Sequence, residues 1–289
     1  MKYILQLTVF MLLFFQTSCN AEQSKDIVQD SSDMENFTTR DFEIKNTESG
    51  NMLRGTLYLP ETEGRHPVII TSQELGSDSR RAWWVNYSKH WASEGYVVVG
   101  FDFAGGGNEG RSDGKTTDMS VLTEASDLEQ VLDSVRNMDF VDNDRIILAG
   151  GSQGGGVATI VAARHPQDIK AMLLLYPAFY MPDNLHTLYP DPNNFPETDT
   201  RNGMITIGKR YITDMYNHDY FDDMRKYSGP VLIVHGDQDR VAPLSYSQRA
   251  VRTFPNARLY ILKGAGHVFI KEEQQREFLE QADAFLRQL

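Results

Sequence analysis

From residue 37 onward, apolar residues fall into short runs separated by helical or turn-like patterns. Residues 37–46 and 52–60 flank Thr47-Glu48-Ser49-Gly50, a turn cluster, and predict an antiparallel hairpin. Later runs cover 68–70, 96–103, 145–149, 171–176, 231–235 and 258–262. These are continuous rather than alternating, the pattern of strands buried on both faces of a mostly parallel sheet. Residues 121–135 repeat Val121, Ala125, Leu128, Leu132 and Val135 at three- and four-residue spacing, which predicts a helix with one apolar face. Residues 152–164 are rich in small side chains and 272–289 predict an amphipathic helix. Strand–helix alternation after an antiparallel start predicts a three-layer α/β fold: a mostly parallel sheet with an antiparallel N-terminal hairpin.

Two stretches break this rhythm. Residues 178–228 separate two predicted strands, where short links and one helix would suffice, so their length predicts a cap insertion. Its first half is loop-like, with Pro182, Pro190, Pro192 and Pro196, whereas 206–224 reads as helical. At the front, Lys2 precedes an apolar stretch over residues 3–15, broken by Gln6 and Thr8 and ending at Gln16-Thr17-Ser18-Cys19. That is short for a bilayer span but fits a signal-peptide core, so residues 1–19 are expected to be an export signal. Residues 20–36 are polar and aperiodic, a flexible tether with a coil span of about 20–25 Å. The remaining 37–289 forms one domain, since α/β folds run past 200 residues without dividing.

Charge and cysteine usage narrow the function. Asp plus Glu number 40 against 28 for Lys plus Arg, a net charge of −12. A duplex-binding surface neutralises phosphates with cations, so nucleic acid is not expected as a partner. Cys19 is the single cysteine, which leaves no internal disulfide and no thiolate zinc site.

Three glycine patterns compete. Gly105, Gly107 and Gly110 fit the dinucleotide fingerprint after a strand, but Arg111-Ser112-Asp113-Gly114 continues the loop instead of opening a helix on a pyrophosphate. Gly114-Lys115-Thr116 resembles the end of a phosphate-binding loop, yet Glu109 stands where that loop needs glycine. Gly150-Gly151-Ser152-Gln153-Gly154 fits G-x-S-x-G in the required setting, between a predicted strand and a helix of small residues. A sharp turn there raises the serine for attack, and the helix N-terminus favours developing negative charge.

A serine hydroxyl needs a base and an orienting acid. Asp239, within the run from His235 to Pro243, and His267, in Gly264-Ala265-Gly266-His267, both follow predicted strands, as Ser152 does. That edge is where open α/β sheets build their sites. His235 is expected to support the acid. Asp237, a turn carboxylate, is the rival acid and is expected to fix its loop.

With these residues in place, residues 40–289 resemble α/β-hydrolases, and within them bacterial cinnamoyl and feruloyl esterases. Phe101-Asp102-Phe103 and Ser112-Asp113-Gly114 match as well. The resemblance implies a serine carboxylic-ester hydrolase acting through an acyl-serine on hydroxycinnamoyl or short acyl esters. Ser152 would be nucleophile, His267 base and Asp239 acid, with no cofactor or metal. By alignment, the backbone N–H groups of Leu75 and Gln153 would form the oxyanion hole. Gln73-Glu74-Leu75-Gly76 departs from the His-Gly-x-Gly of such esterases and puts a carboxylate near that hole. Glu74, Tyr180 and Tyr211 are candidate substrate contacts, because six of the 13 tyrosines fall within 178–228 and suit a flat phenolic group. A peptidase or acyltransferase would use the same triad, although the N-terminal propeller of prolyl peptidases has no counterpart in this sequence. A ligand-binding lipoprotein without catalysis is the alternative outside enzymes. The segment ending at Cys19 resembles the lipobox of bacterial lipoproteins, with Gln16 where an aliphatic residue is usual. It implies export and a lipid anchor at Cys19 as the sole membrane contact.

Overall fold

The computed structural model describes residues 36–201 and 203–289; the signal segment, Cys19 and the tether through residue 35 lie outside the described residues. The described chain runs β1 (Phe37–Lys45), β2 (Met52–Pro60), β3 (His66–Ser72), α1 (Ala82–Ser93), β4 (Val97–Phe101), α2 (Val121–Arg136), β5 (Val141–Gly151), α3 (Gln153–Arg164) and β6 (Ala171–Leu175). It continues through α4 (Met181–Leu188), β7 (Thr198–Arg201), β8 (Ile205–Gly208), α5 (Lys209–Tyr216), α6 (Tyr220–Met224), β9 (Val231–Gly236), α7 (Leu244–Thr253), β10 (Ala257–Leu262) and α8 (Glu272–Leu286). Eight strands form one sheet in the order β1-β2-β4-β3-β5-β6-β9-β10. β1 and β2 pair antiparallel, β2 pairs antiparallel with β4, and every other pairing in that sheet is parallel. The expected three-layer α/β architecture is therefore present.

Continuous apolar runs are explained by burial on both faces. Val68 and Ile70 of β3 join one core while Ile69 joins the other; on β5, Ile146 and Leu148 divide in the same way from Ile147 and Ala149. Successive side chains of a strand point to opposite faces, so a strand between two helix layers needs apolar residues at every position. α2, α3 and the segment after β6 pack on the first face, and α1 with α8 on the second.

Residues 178–228 differ from expectation in detail. The half expected to be loop carries α4, and the half expected to be one helix begins as β8, paired antiparallel with β7, before α5 and α6. The insertion sits on the domain. Tyr220 and Tyr227 are fully buried, and the Tyr227 hydroxyl donates to the Ile169 carbonyl at 3.1 Å. Gly208 approaches so closely that an added Cβ would lie 1.9 Å from the Thr117 carbonyl oxygen. The loop holding Gly105–Gly110 opens no helix, because α2 begins only at Val121.

Candidate active site

β5 ends at Gly151 and α3 begins at Gln153, leaving Ser152 alone to make the turn. Its backbone takes φ 50° and ψ −115°, a strained conformation for a side chain with a Cβ. The contacts around it tolerate only glycine at two positions. A Cβ on Gly154 would lie 2.2 Å from the Ser72 carbonyl oxygen, and one on Gly150 would lie 2.4 Å from that of Gly154. The turn is pinned by the Ser152 N–H donating to Leu175 and by the Ala178 N–H donating to the Ser152 carbonyl, each at 2.9 Å.

The loops after β9 and β10 bring the partners. His267 Nε2 lies 2.9 Å from Ser152 Oγ, and His267 Nδ1 lies 2.8 Å from Asp239 Oδ2. A carboxylate only accepts, so the imidazole proton sits on Nδ1 and the Nε2 lone pair faces the serine hydroxyl. The Asp239 side chain is entirely buried. Burial alone would raise its carboxyl. Hydrogen bonds from His235, His267 and the Ala242 N–H outweigh that and hold it well below the ordinary carboxylate range. His235 is fully buried too, with Nε2 at 2.9 Å from the Ala242 carbonyl and 3.1 Å from Asp239 Oδ2. A carbonyl cannot donate, so Nε2 carries the proton and Nδ1 accepts from the Ser247 hydroxyl at 2.7 Å. Asp237 instead accepts from the Gly264 N–H at 2.7 Å and ties the two loops together.

A cavity of about 390 Å³ opens beside Ser152, lined among others by Leu75, Gln153, Tyr180, Tyr211 and Arg201. Among the described residues, neither the Leu75 nor the Gln153 N–H has an acceptor in the chain. Two unpaired donors beside a serine can receive an oxyanion. The Gln153 side chain is fixed from both ends. Its Nε2 donates to Glu124 at 2.7 Å, and its Oε1 accepts from the Tyr211 hydroxyl at 2.6 Å. Burial pushes the Glu124 carboxyl up to about 8, so the neutral acid is the form that holds Gln153 at neutral pH.

Glu74 is not placed as a substrate contact. It does not line the cavity. Its carboxylate turns beneath the serine turn, accepting from the Tyr176 hydroxyl at 2.8 Å and the Trp84 indole N–H at 3.0 Å. Gly151 leaves the space for it: a Cβ there would lie 2.8 Å from Glu74 Oε1. With both oxygens engaged, the carboxylate is a support of the turn rather than a substrate contact. Tyr180 and Tyr211 do line the cavity, although the Tyr211 hydroxyl is engaged by Gln153. Arg201, Asn184 and Val241 line it as well and carry no motif that sequence could have flagged.

The prolyl oligopeptidase family model matches residues 83–289. Among curated relatives, non-heme chloroperoxidase CPO-A1 of Kitasatospora aureofaciens is 35% identical over 82 residues, 26% of this chain and 30% of that protein. The monoacylglycerol lipase of Mycolicibacterium smegmatis is 23% identical over 261 residues, 80% of this chain and 91% of the lipase. Among solved structures, Est1E from Butyrivibrio proteoclasticus with ferulic acid bound superposes with a TM-score of 0.75 and 27% identity, over 84% of this chain and 99% of that one.

Proposed function

We propose, from the premise that the chain belongs to the prolyl oligopeptidase family and is an α/β-hydrolase enzyme, that it hydrolyses carboxylic esters through an acyl-serine. The observation that carries this is the Ser152–His267–Asp239 chain of 2.9 and 2.8 Å contacts at the edge of the cavity. Ser152 Oγ attacks the ester carbonyl as His267 Nε2 takes its proton, and Asp239 stabilises the imidazolium that forms. The Leu75 and Gln153 N–H groups hold the oxyanion. Collapse of the tetrahedral species expels the alcohol, protonated by His267, and leaves the acyl group on Ser152. Water, deprotonated by His267, attacks the acyl carbon, and the acid leaves with Ser152 reprotonated.

For the acyl group we read an aromatic one of the hydroxycinnamoyl kind. Tyr180 and Tyr211 on the cavity wall support this, as does the likeness to Est1E, a structure with ferulic acid bound. In this reading residues 178–228 act as the cap over the acyl group. A second reading, amide cleavage by the same residues, is favoured by one observation: the matching family model is that of an oligopeptidase. Export and lipidation at Cys19 belong to the proposal on the strength of the leader sequence.

The test is turnover of methyl 4-hydroxycinnamate, methyl acetate and a dipeptide amide by the wild type and by Ser152→Ala. Ester turnover that disappears in Ser152→Ala, with the cinnamate favoured in kcat/KM, is expected. Equal efficiency on the acetate removes the aromatic reading, and cleavage of the amide alone makes the protein a peptidase.

A further inference from the structure

Arg201 is the only charged side chain among the described residues lining the cavity beside Ser152, in a chain whose net charge is −12. It comes from β7, and its side chain is 19% exposed. Its Nε lies 3.3 Å from Asp199, and its guanidinium carbon lies 5.5 Å from the centre of the Tyr189 ring. One carboxylate contact leaves most of a five-donor fork unused. Tyr180 and Asn184 stand one helical turn apart at the start of α4 and line the same cavity. Neither the Tyr180 hydroxyl nor the Asn184 side-chain amide has a hydrogen-bond partner among the described residues. No carboxylate lines the space, and Asp183, the nearest in sequence, accepts instead from the Tyr246 hydroxyl at 2.6 Å.

We infer that this cavity selects esters whose acyl part ends in a carboxylate, held by Arg201 together with Tyr180 and Asn184. The inference rests on the ester-hydrolase reading above and puts a carboxylate where the hydroxycinnamoyl reading has a phenol. A guanidinium offers donors only, and its planar fork matches a carboxylate in two parallel bonds. A neutral phenol presents a weaker acceptor to the same donors. Asp199 does not preclude this, because an arginine can serve one carboxylate through Nε and a second through its terminal nitrogens. Burial raises the phenols of Tyr180 and Tyr211, Asp239 adds to it at Tyr180 and Glu124 at Tyr211, and Arg201 is the one cation that opposes it at both.

The experiment compares methyl 4-carboxycinnamate with methyl 4-methylcinnamate, and monomethyl adipate with methyl hexanoate, in wild type, Arg201→Gln and Arg201→Lys. Each pair matches in shape and differs in charge. A hydrogen-bonded charge contact should favour the charged ester in kcat/KM by roughly 10- to 100-fold. That ratio should fall by about tenfold or more in Arg201→Gln and partly persist in Arg201→Lys. An unchanged ratio in Arg201→Gln, or a wild type that prefers the neutral ester of both pairs, overturns the proposal. Calorimetric binding of the same esters to Ser152→Ala, with and without Arg201→Gln, gives a readout independent of turnover. Should the wild type hydrolyse none of the esters, the hydrolase reading fails while this binding arm still decides the charge preference. Should Arg201→Gln not fold, the ratio in Arg201→Lys and in Tyr180→Phe decides it.

Discussion

At the scale of single residues, the arrangement around Ser152 makes sharp distinctions between neighbours of the same chemical type. Asp239 and Asp237 are two residues apart, yet only Asp239 reaches His267, at 2.8 Å, while Asp237 holds the Gly264 N–H. Ser152→Ala and His267→Ala should each lower ester hydrolysis by about 10³-fold or more, because such groups act as a unit. Asp239→Asn should be comparably damaging and Asp237→Asn mild, measured as kcat on one activated ester; the reverse order would reassign the acid. Glu74 differs in kind. Removing its carboxylate in Glu74→Ala strands the Tyr176 hydroxyl and the Trp84 N–H, at a cost of about 1–3 kcal/mol each where they are buried. A lower melting temperature and a lower kcat are expected, with KM little moved because Glu74 does not touch the cavity. A changed KM at constant kcat would return Glu74 to the substrate. The serine, histidine and acid were legible in the sequence because each sits at a strand end within a short motif. The inward turn of Glu74 was not, since its partners Tyr176 and Trp84 are distant in the chain and Gly151 provides its space only in three dimensions.

At the scale of elements, legibility followed burial. Strands with apolar residues at every position announced themselves, as did α2 with its regular face. α1 gave no comparable signal: it opens at Ala82 without a side-chain cap, and its buried Trp84, Tyr87 and Trp91 are aromatic residues that also suit strands. The sequence pattern predicts loop across β7 and helix from residue 206, across β8, although the Asn202-Gly203 dipeptide between Thr198–Arg201 and Ile205–Gly208 is a hairpin signal. α2 and α5 also share a titrating link, in which Glu124 of α2 and Tyr211 of α5 clamp Gln153 from opposite ends. The Glu124 carboxyl is raised by burial from 4.5 to about 8, so folding favours its protonated form. Between those two values the unfolded chain releases a proton that the folded chain keeps. This contribution is therefore complete below about pH 4.5, declines as pH rises toward 8, and is lost above it. Asp127, raised to about 6 by burial, adds a slope of the same sign over a narrower range. Melting temperature should fall from pH 5 to pH 8.5 in the wild type and fall distinctly less in Glu124→Gln, whose amide can still accept from Gln153. Parallel curves for the two proteins would mean that Glu124 is already ionised in the folded state.

At the scale of the whole molecule, the lipid proposed at Cys19 poses a physical question about how the enzyme would be held at a membrane. Among the described residues no helix is long and apolar enough to cross one, and the attachment proposed at Cys19 lies outside them. Charge opposes it. The chain carries −12 overall, and the tether sets Glu22, Asp26, Asp30, Asp33 and Glu35 against the single cation Lys25. Basic residues near an anionic surface contribute about 1 kcal/mol each, and an acidic tether forgoes that attraction. A single acyl chain binds only weakly and reversibly, so firm attachment without a basic patch requires more than one chain on the cysteine. The lipid hypothesis therefore predicts a particular pattern of release. Labelled palmitate should enter the wild type and not Cys19→Ser when either is produced in a bacterial host that lipidates exported proteins. The labelled protein should stay with membranes in 1 M salt, which shortens the screening length to about 3 Å and strips charge-held proteins, and should come off in detergent. Cys19→Ser should leave the membrane fraction altogether while keeping the wild-type turnover of an activated ester, because seventeen residues of sequence lie between the cysteine and β1. Membrane attachment that salt removes, or that survives Cys19→Ser, would show that something other than a lipid on this cysteine holds the protein in place.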